Sequence, residues 1–199
     1  LDAGARYFVF DMDGTLISLP VEWDKVREDL RKLTGTSLDF APFFLDVQSV
    51  VAKDPLLLGP IMRTIDEYEA RAVPEARLEE GATEVLSSLS SRVMLSLVTM
   101  QGRAACDRVF ETLGIGRFFA SSFTREDSMD RTTQLRMALE SLGAKEDESV
   151  FVGDRINDLK AARAVGARFV MIRKRADAPP ADSLYRSMAE FAASPWVRG

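Results

Sequence analysis

Four short apolar runs punctuate the chain, and each stops abruptly at a polar residue or a glycine. They occupy residues 7–10 (YFVF), 92–98 (RVMLSLV), 149–152 (SVFV) and 167–172 (ARFVMI). Runs this short and this sharply bounded predict strands buried on both faces. A weaker fifth lies at 118–120. Between them, residues 82–89, 103–113, 132–142 and 156–165 carry apolar side chains at three- and four-residue spacing, which predicts helices. Gly114, Gly143 and Gly166 stand where helix C-caps are expected. The alternation predicts an α/β fold: a Rossmann-like parallel sheet with helices on both faces.

One region breaks the pattern. Residues 20–74 contain no strand signal, whereas 21–33, 40–53 and 57–72 read as helices, with breaks at Gly35, Pro55 and Pro74. The expectation is an all-helical domain, 19–74, inserted after the first strand of a core made of 1–18 and 75–199. The tail, 183–193, predicts a last surface helix after a Pro179-Pro180 loop.

Composition narrows the chemistry. The chain of 199 residues suffices for one domain with an insert, or for two small ones. Lys and Arg number 26 against 31 Asp and Glu, for a net charge of -5. Such a balance argues against nucleic acid as a partner, yet permits a small anion held by a metal ion and local cations. The chain has no histidine, which excludes His-ligated zinc and Ser-His or Cys-His nucleophile pairs. Acid-base work then falls to carboxylates, Lys or Tyr. The lone Cys106 cannot form an internal disulfide, so a reducing, cytoplasmic setting is expected, with Cys106 as a small buried helix residue. No apolar run nears the roughly 20 residues that span a bilayer, so no membrane is expected as a partner. The first residues carry no leader pattern.

In a parallel sheet, ligands bind beyond the carboxyl ends of the strands. Asp11-Met12-Asp13-Gly14-Thr15 follows the first strand, Thr99 the second, and Gly153-Asp154-Arg155-Ile156-Asn157-Asp158 the run at 149–152. The polar loop after the weak strand leads to Arg131 at a helix start. Four carboxylates, a hydroxyl and a guanidinium are thus expected at one sheet edge. Crowded carboxylates repel, and a divalent cation relieves them; an all-oxygen set suits Mg²⁺. One carboxylate beside that cation can attack phosphorus, and a second, two residues along, can move the proton.

The blocks Asp-Met-Asp-Gly-Thr at 11–15, Thr99, and Gly-Asp-Arg-Ile-Asn-Asp at 153–158 resemble those of the haloacid dehalogenase-like superfamily, in the same order. The helical insert resembles the cap of its phosphoglycolate phosphatase-like branch. The resemblance implies an Mg²⁺-dependent phosphatase acting on a small phosphorylated metabolite through an aspartyl-phosphate. It makes Asp11 the nucleophile and a metal ligand, and Asp13 the general acid/base with its backbone carbonyl on the metal. It places Asp154 on the metal, and Asp158 there directly or through water. Thr99 and Asn157 become phosphate-binding residues.

Three positions depart from the family pattern. Lys is usual in the third block; Arg131 is chosen here, with Arg125 as the alternative, because Lys145 follows that helix and falls at the opposite edge. Met100 follows Thr99 where Asn is more common, and Ser18 replaces an acidic residue. The rivals are a phosphomutase or phosphotransferase of the same superfamily, or a non-catalytic phosphate-binding protein on the same fold. A dehalogenase or phosphonate hydrolase has no use for Asp13. A receiver domain would be shorter and would lack the insert.

Overall fold

The computed structural model describes residues 4–40, 43–173 and 181–199. The chain runs through β1 (Tyr7–Asp11), β2 (Ile17–Ser18), α1 (Trp23–Thr34), α2 (Phe43–Lys53), α3 (Leu58–Ala72), β3 (Arg77–Leu78), α4 (Ala82–Ser90) and β4 (Met94–Val98). It continues through α5 (Arg103–Leu113), β5 (Ser121–Phe123), α6 (Arg131–Leu142), β6 (Ser149–Gly153), α7 (Ile156–Val165) and β7 (Arg168–Ile172). It closes with β8 (Ser183–Tyr185), α8 (Met188–Ala192) and α9 (Pro195–Arg198).

The main sheet has the order β5-β4-β1-β6-β7-β8, and every neighbouring pair is parallel. Because side chains alternate across a strand, β1 feeds two cores. Val9 joins Val98, Phe151, Phe169 and Met171 against Leu135, Leu139, Leu159 and Ala162 of α6 and α7. Phe8 and Phe10 turn the other way, where Phe8 meets Trp196 edge-on at 6.3 Å and Phe10 meets Phe119 at 6.4 Å. Each such buried side chain contributes about 1.5–3 kcal/mol relative to exposure. Burial on both faces is what makes the central strands continuous apolar runs. Gly114, Gly143 and Gly166 cap α5, α6 and α7 in the left-handed conformation, and Cys106 is buried on α5.

Two expectations are corrected at the sheet edges. Residues 118–120 are not the fifth strand, which lies at Ser121–Phe123. Phe119 is apolar because its ring stacks on Phe110 at 5.6 Å, as core filling rather than strand. The tail is not one surface helix. It begins as β8, paired with β7, and then forms two short helices that bury Met188, Phe191 and Trp196. The Pro179-Pro180 loop lies outside the described residues.

The chain divides into two compact units, Leu1–Leu19 with Ala76–Gly199, and Pro20–Glu75. Within the first, β2 and β3 form an antiparallel pair where the chain leaves for the second unit and returns from it. The second unit is helical. Val26, Leu30, Ile61 and Ile65 are buried in it, and the Tyr68 hydroxyl donates to Asp29 Oδ2 at 2.7 Å. Trp23 packs edge-on against Phe43 at 5.1 Å, and Phe40, wholly buried, lies 5.9 Å from Phe43. These aromatics serve the core of the helical unit.

Candidate active site

Strand order reverses at β1: the chain moves outward to β4 and β5 on one side, then to β6, β7 and β8 on the other. Crevices form at such switch points, and here three of the expected carboxylates meet. Asp11 ends β1 and is almost wholly buried. Asp154 follows β6, and Asp158 lies in the first turn of α7. One carboxylate oxygen from each of the three lies within 4.8 Å of the others.

Local chemistry fixes each group. The Thr15 hydroxyl donates to Asp11 Oδ2 at 3.3 Å. The Arg155 N–H donates to Asp158 Oδ2 at 3.1 Å, an acidic cap that also suits the positive end of the helix. Gly14 has φ +84, and a Cβ there would stand 2.7 Å from Asp154 Oδ2. Only glycine allows that turn to pass so close to the carboxylate.

The cluster is short of hydrogen-bond donors. Asp154 Oδ1 and Asp158 Oδ1 are buried without a hydrogen bond, although Arg131 Nε lies 3.1 Å from the latter. Burial, reinforced by the Asp11 charge, pushes the Asp154 carboxyl up to about 7. Burial also raises Asp158, against the opposing pull of Arg131. Orphaned buried oxygens and raised carboxyls are what a hard divalent cation satisfies, so the residues present fit Mg²⁺.

Asp13 lies outside the group of three, but its charge is felt at Asp154. Its Oδ1 accepts the Leu19 N–H at 2.9 Å, which orients the carboxylate two residues beyond Asp11. Thr99 is wholly buried at the end of β4; its hydroxyl donates to Gln101 Oε1 and accepts the Gln101 N–H at 3.1 Å. Asn157 is exposed and lines a cleft together with Gly14, Thr15 and Asp154.

Among the basic candidates, Arg131 reaches the cluster, with Nη2 2.8 Å from Asp11 Oδ1. Arg125 is buried at the same sheet edge, but its Nη1 donates to the Met100 carbonyl at 3.0 Å. Lys145 precedes β6, where its carbonyl accepts the Ser149 hydroxyl, and so lies at the amino edge of the sheet. Ser18 is exposed on β2.

Gln134 was not legible as a site residue. It is wholly buried on α6, accepts from Arg131 Nη1 at 3.2 Å, and donates to the Thr99 and Ser128 carbonyls, both at 2.9 Å. The available signal was its place three residues after Arg131, on the same helix face.

The family model of haloacid dehalogenase-like hydrolases matches residues 8–172. A phosphoglycolate phosphatase of Agrobacterium fabrum is 32% identical, over 78% of this chain and 75% of the relative. Another phosphoglycolate phosphatase, from Rhodospirillum rubrum, is 25% identical over 88% of this chain and 83% of its own. Among solved structures, CbbY from Rhodobacter sphaeroides, in complex with phosphate, is similar with a TM-score of 0.73. It is 18% identical over 94% of this chain and 96% of its own, a likeness of fold. Among the described residues, no helix is long and apolar enough to cross a membrane.

Proposed function

The chain belongs to the haloacid dehalogenase-like hydrolase family, and from that premise we propose that it is an Mg²⁺-dependent phosphatase that hydrolyses a small phosphate monoester through a covalent phosphate on Asp11. The observation that carries the reading is the meeting of Asp11, Asp154 and Asp158 within 4.8 Å, beside Arg131.

An Asp11 oxygen attacks phosphorus, forming an O–P bond as the ester P–O bond breaks. Asp13, oriented by the Leu19 N–H, protonates the departing oxygen. It then removes a proton from the water that attacks the phosphoenzyme, which frees Asp11 and releases inorganic phosphate. Arg131, Thr99 and Asn157 bind the phosphoryl oxygens, and the planar guanidinium of Arg131 suits two-pronged contact. Asp11, Asp154, Asp158 and the Asp13 carbonyl would hold Mg²⁺, which when bound offsets the negative charge on the transferring group. The helical unit serves as the cap that selects the substrate, as the family resemblance implies.

Phosphoglycolate, named in both relatives, is the first monoester to try. Asp11→Asn tests the reading: turnover of p-nitrophenyl phosphate with Mg²⁺ should vanish while the melting transition persists. Retained turnover in that variant excludes the covalent route.

A further inference from the structure

The last two strands of the sheet end side by side. Their ladder pairs Ile172 with Tyr185. Arg173 and Arg186 follow directly, so two cations stand at neighbouring strand ends on the carboxyl edge. The Arg173 N–H donates to the Tyr185 carbonyl at 2.8 Å, which holds this part of the edge together. Like charges on adjacent strands destabilise a sheet unless something neutralises them. Neither guanidinium forms a salt bridge among the described residues.

Both arginines line one cleft of about 560 Å³, together with Arg155, which follows the metal-site residue Asp154. That volume falls in the range of roughly 300–1,000 Å³ typical of small-molecule sites. Asp154, one of the three clustered carboxylates, lines the cleft too, as do Asn157 and Thr15, whose hydroxyl donates to Asp11 Oδ2. Asp154 and Glu79 are the carboxylates of its lining; Arg155 Nε lies 3.8 Å from Asp154 Oδ1, and the Arg186 backbone N–H donates to Glu190 Oε2 at 2.6 Å, which leaves Arg173 and Arg186 as the guanidiniums without a salt bridge among the described residues. Ile156, Ile172 and Met188 give it apolar wall. All of this lies within the α/β unit.

The mechanism above uses none of these three arginines. We propose that they form a subsite for a second phosphate group, so that the preferred substrate is a bisphosphate: one phosphate reacts at Asp11 while Arg173 and Arg186 hold the other. Two guanidiniums in the lining of one cleft match the charge of a phosphate dianion and its several acceptor oxygens better than they match a carboxylate. The apolar wall accommodates the carbon skeleton between the two phosphates. The proposal rests on the phosphatase reading and names the substrate class for that same site.

The test compares phosphate release, with Mg²⁺, from α,ω-alkanediol bisphosphates of increasing length, the matching alkyl monophosphates and the matching ω-phosphooxy carboxylates. The best bisphosphate should exceed its monophosphate in kcat/KM by about tenfold or more, mainly through KM. Arg173→Gln and Arg186→Gln should each lower that ratio, and Arg173→Glu should lower it further, with melting transitions showing that the variants fold. A ratio near one in the unaltered protein overturns the subsite, as does a ratio that none of the substitutions moves. A preference for the carboxylate series overturns the assignment of phosphate. Failure to hydrolyse any ester, p-nitrophenyl phosphate included, overturns the phosphatase reading itself, whereas hydrolysis without discrimination overturns only this inference.

Discussion

Arg131 Nη2 stands 2.8 Å from Asp11 Oδ1, joining the start of α6 to the end of β1. The Nε of the same guanidinium lies 3.1 Å from Asp158 Oδ1. One planar side chain therefore spans two carboxylates brought in by different elements. A lysine supplies the charge at a single point and cannot span both. Arg131→Lys should keep measurable turnover of p-nitrophenyl phosphate, reduced about tenfold. Arg131→Gln, which removes the charge, should cost about 10²–10³ in kcat. Steady-state kinetics on both variants check the order; equal activity in the two would remove Arg131 from the site.

Gln134 holds Arg131 from behind while its amide serves the Thr99 and Ser128 carbonyls. Gln134→Leu fills the same space but leaves those carbonyls without their donor, at a cost of about 1–3 kcal/mol. Chemical denaturation should report that loss. KM should rise because the guanidinium loses its brace, whereas a purely structural role for Gln134 would leave KM where it was.

Gly153 ends β6 directly beneath Asp158, and a Cβ there would stand 2.7 Å from Asp158 Oδ2. Gly153→Ala must push that carboxylate aside. About 1–3 kcal/mol of stability should go with it, the usual cost of overpacking. The Mg²⁺ concentration needed for half-maximal activity should rise. An unchanged Mg²⁺ requirement would show that Asp158 does not act at the cation.

Burial and the Asp11 charge carry the Asp154 carboxyl from its ordinary 3.8 to about 7. In protein stripped of divalent ions, the folded state then keeps a proton that the unfolded chain releases near pH 4. The sign follows: this group makes the stripped protein less stable as pH rises from about 4 to 7, and adds no further change above that. Mg²⁺ must displace the proton, so its affinity should climb over the same window and level off near pH 8. Calorimetric titration with MgCl₂ across that range measures this, and a flat profile would detach Asp154 from the metal.

What the sequence revealed and what it hid divide along the sheet. β1, β4, β6 and β7 are flanked by neighbours and covered on both faces, so their composition alone marks them, and the polar residue at each stop marks the site. β5 (SSF) and β8 (SLY) are three-residue edge strands, half-buried and too short to show a period of two. Serine suits β5 for a local reason: the Ser121 hydroxyl lies within hydrogen-bonding distance of the Ser96 and Ser141 hydroxyls, at 2.8 and 2.7 Å. The contacts of Arg131 and Gln134 depend on side-chain directions set by α6 packing over β4, which no spacing rule contains. Asp13 was legible as a member of its block, but not that its side chain would accept the Leu19 N–H, a contact set by the turn after β1.

The central place of β1 has a consequence for synthesis. Its two partners begin at Met94 and Ser149. At about 5–20 residues per second, a ribosome needs several seconds to reach the nearer partner and longer for the farther one. Until then the strand bearing Asp11 emerges with bare edges, exposed to pairing with other nascent chains. The first block of the site to be translated is therefore completed only once β6 has left the exit tunnel.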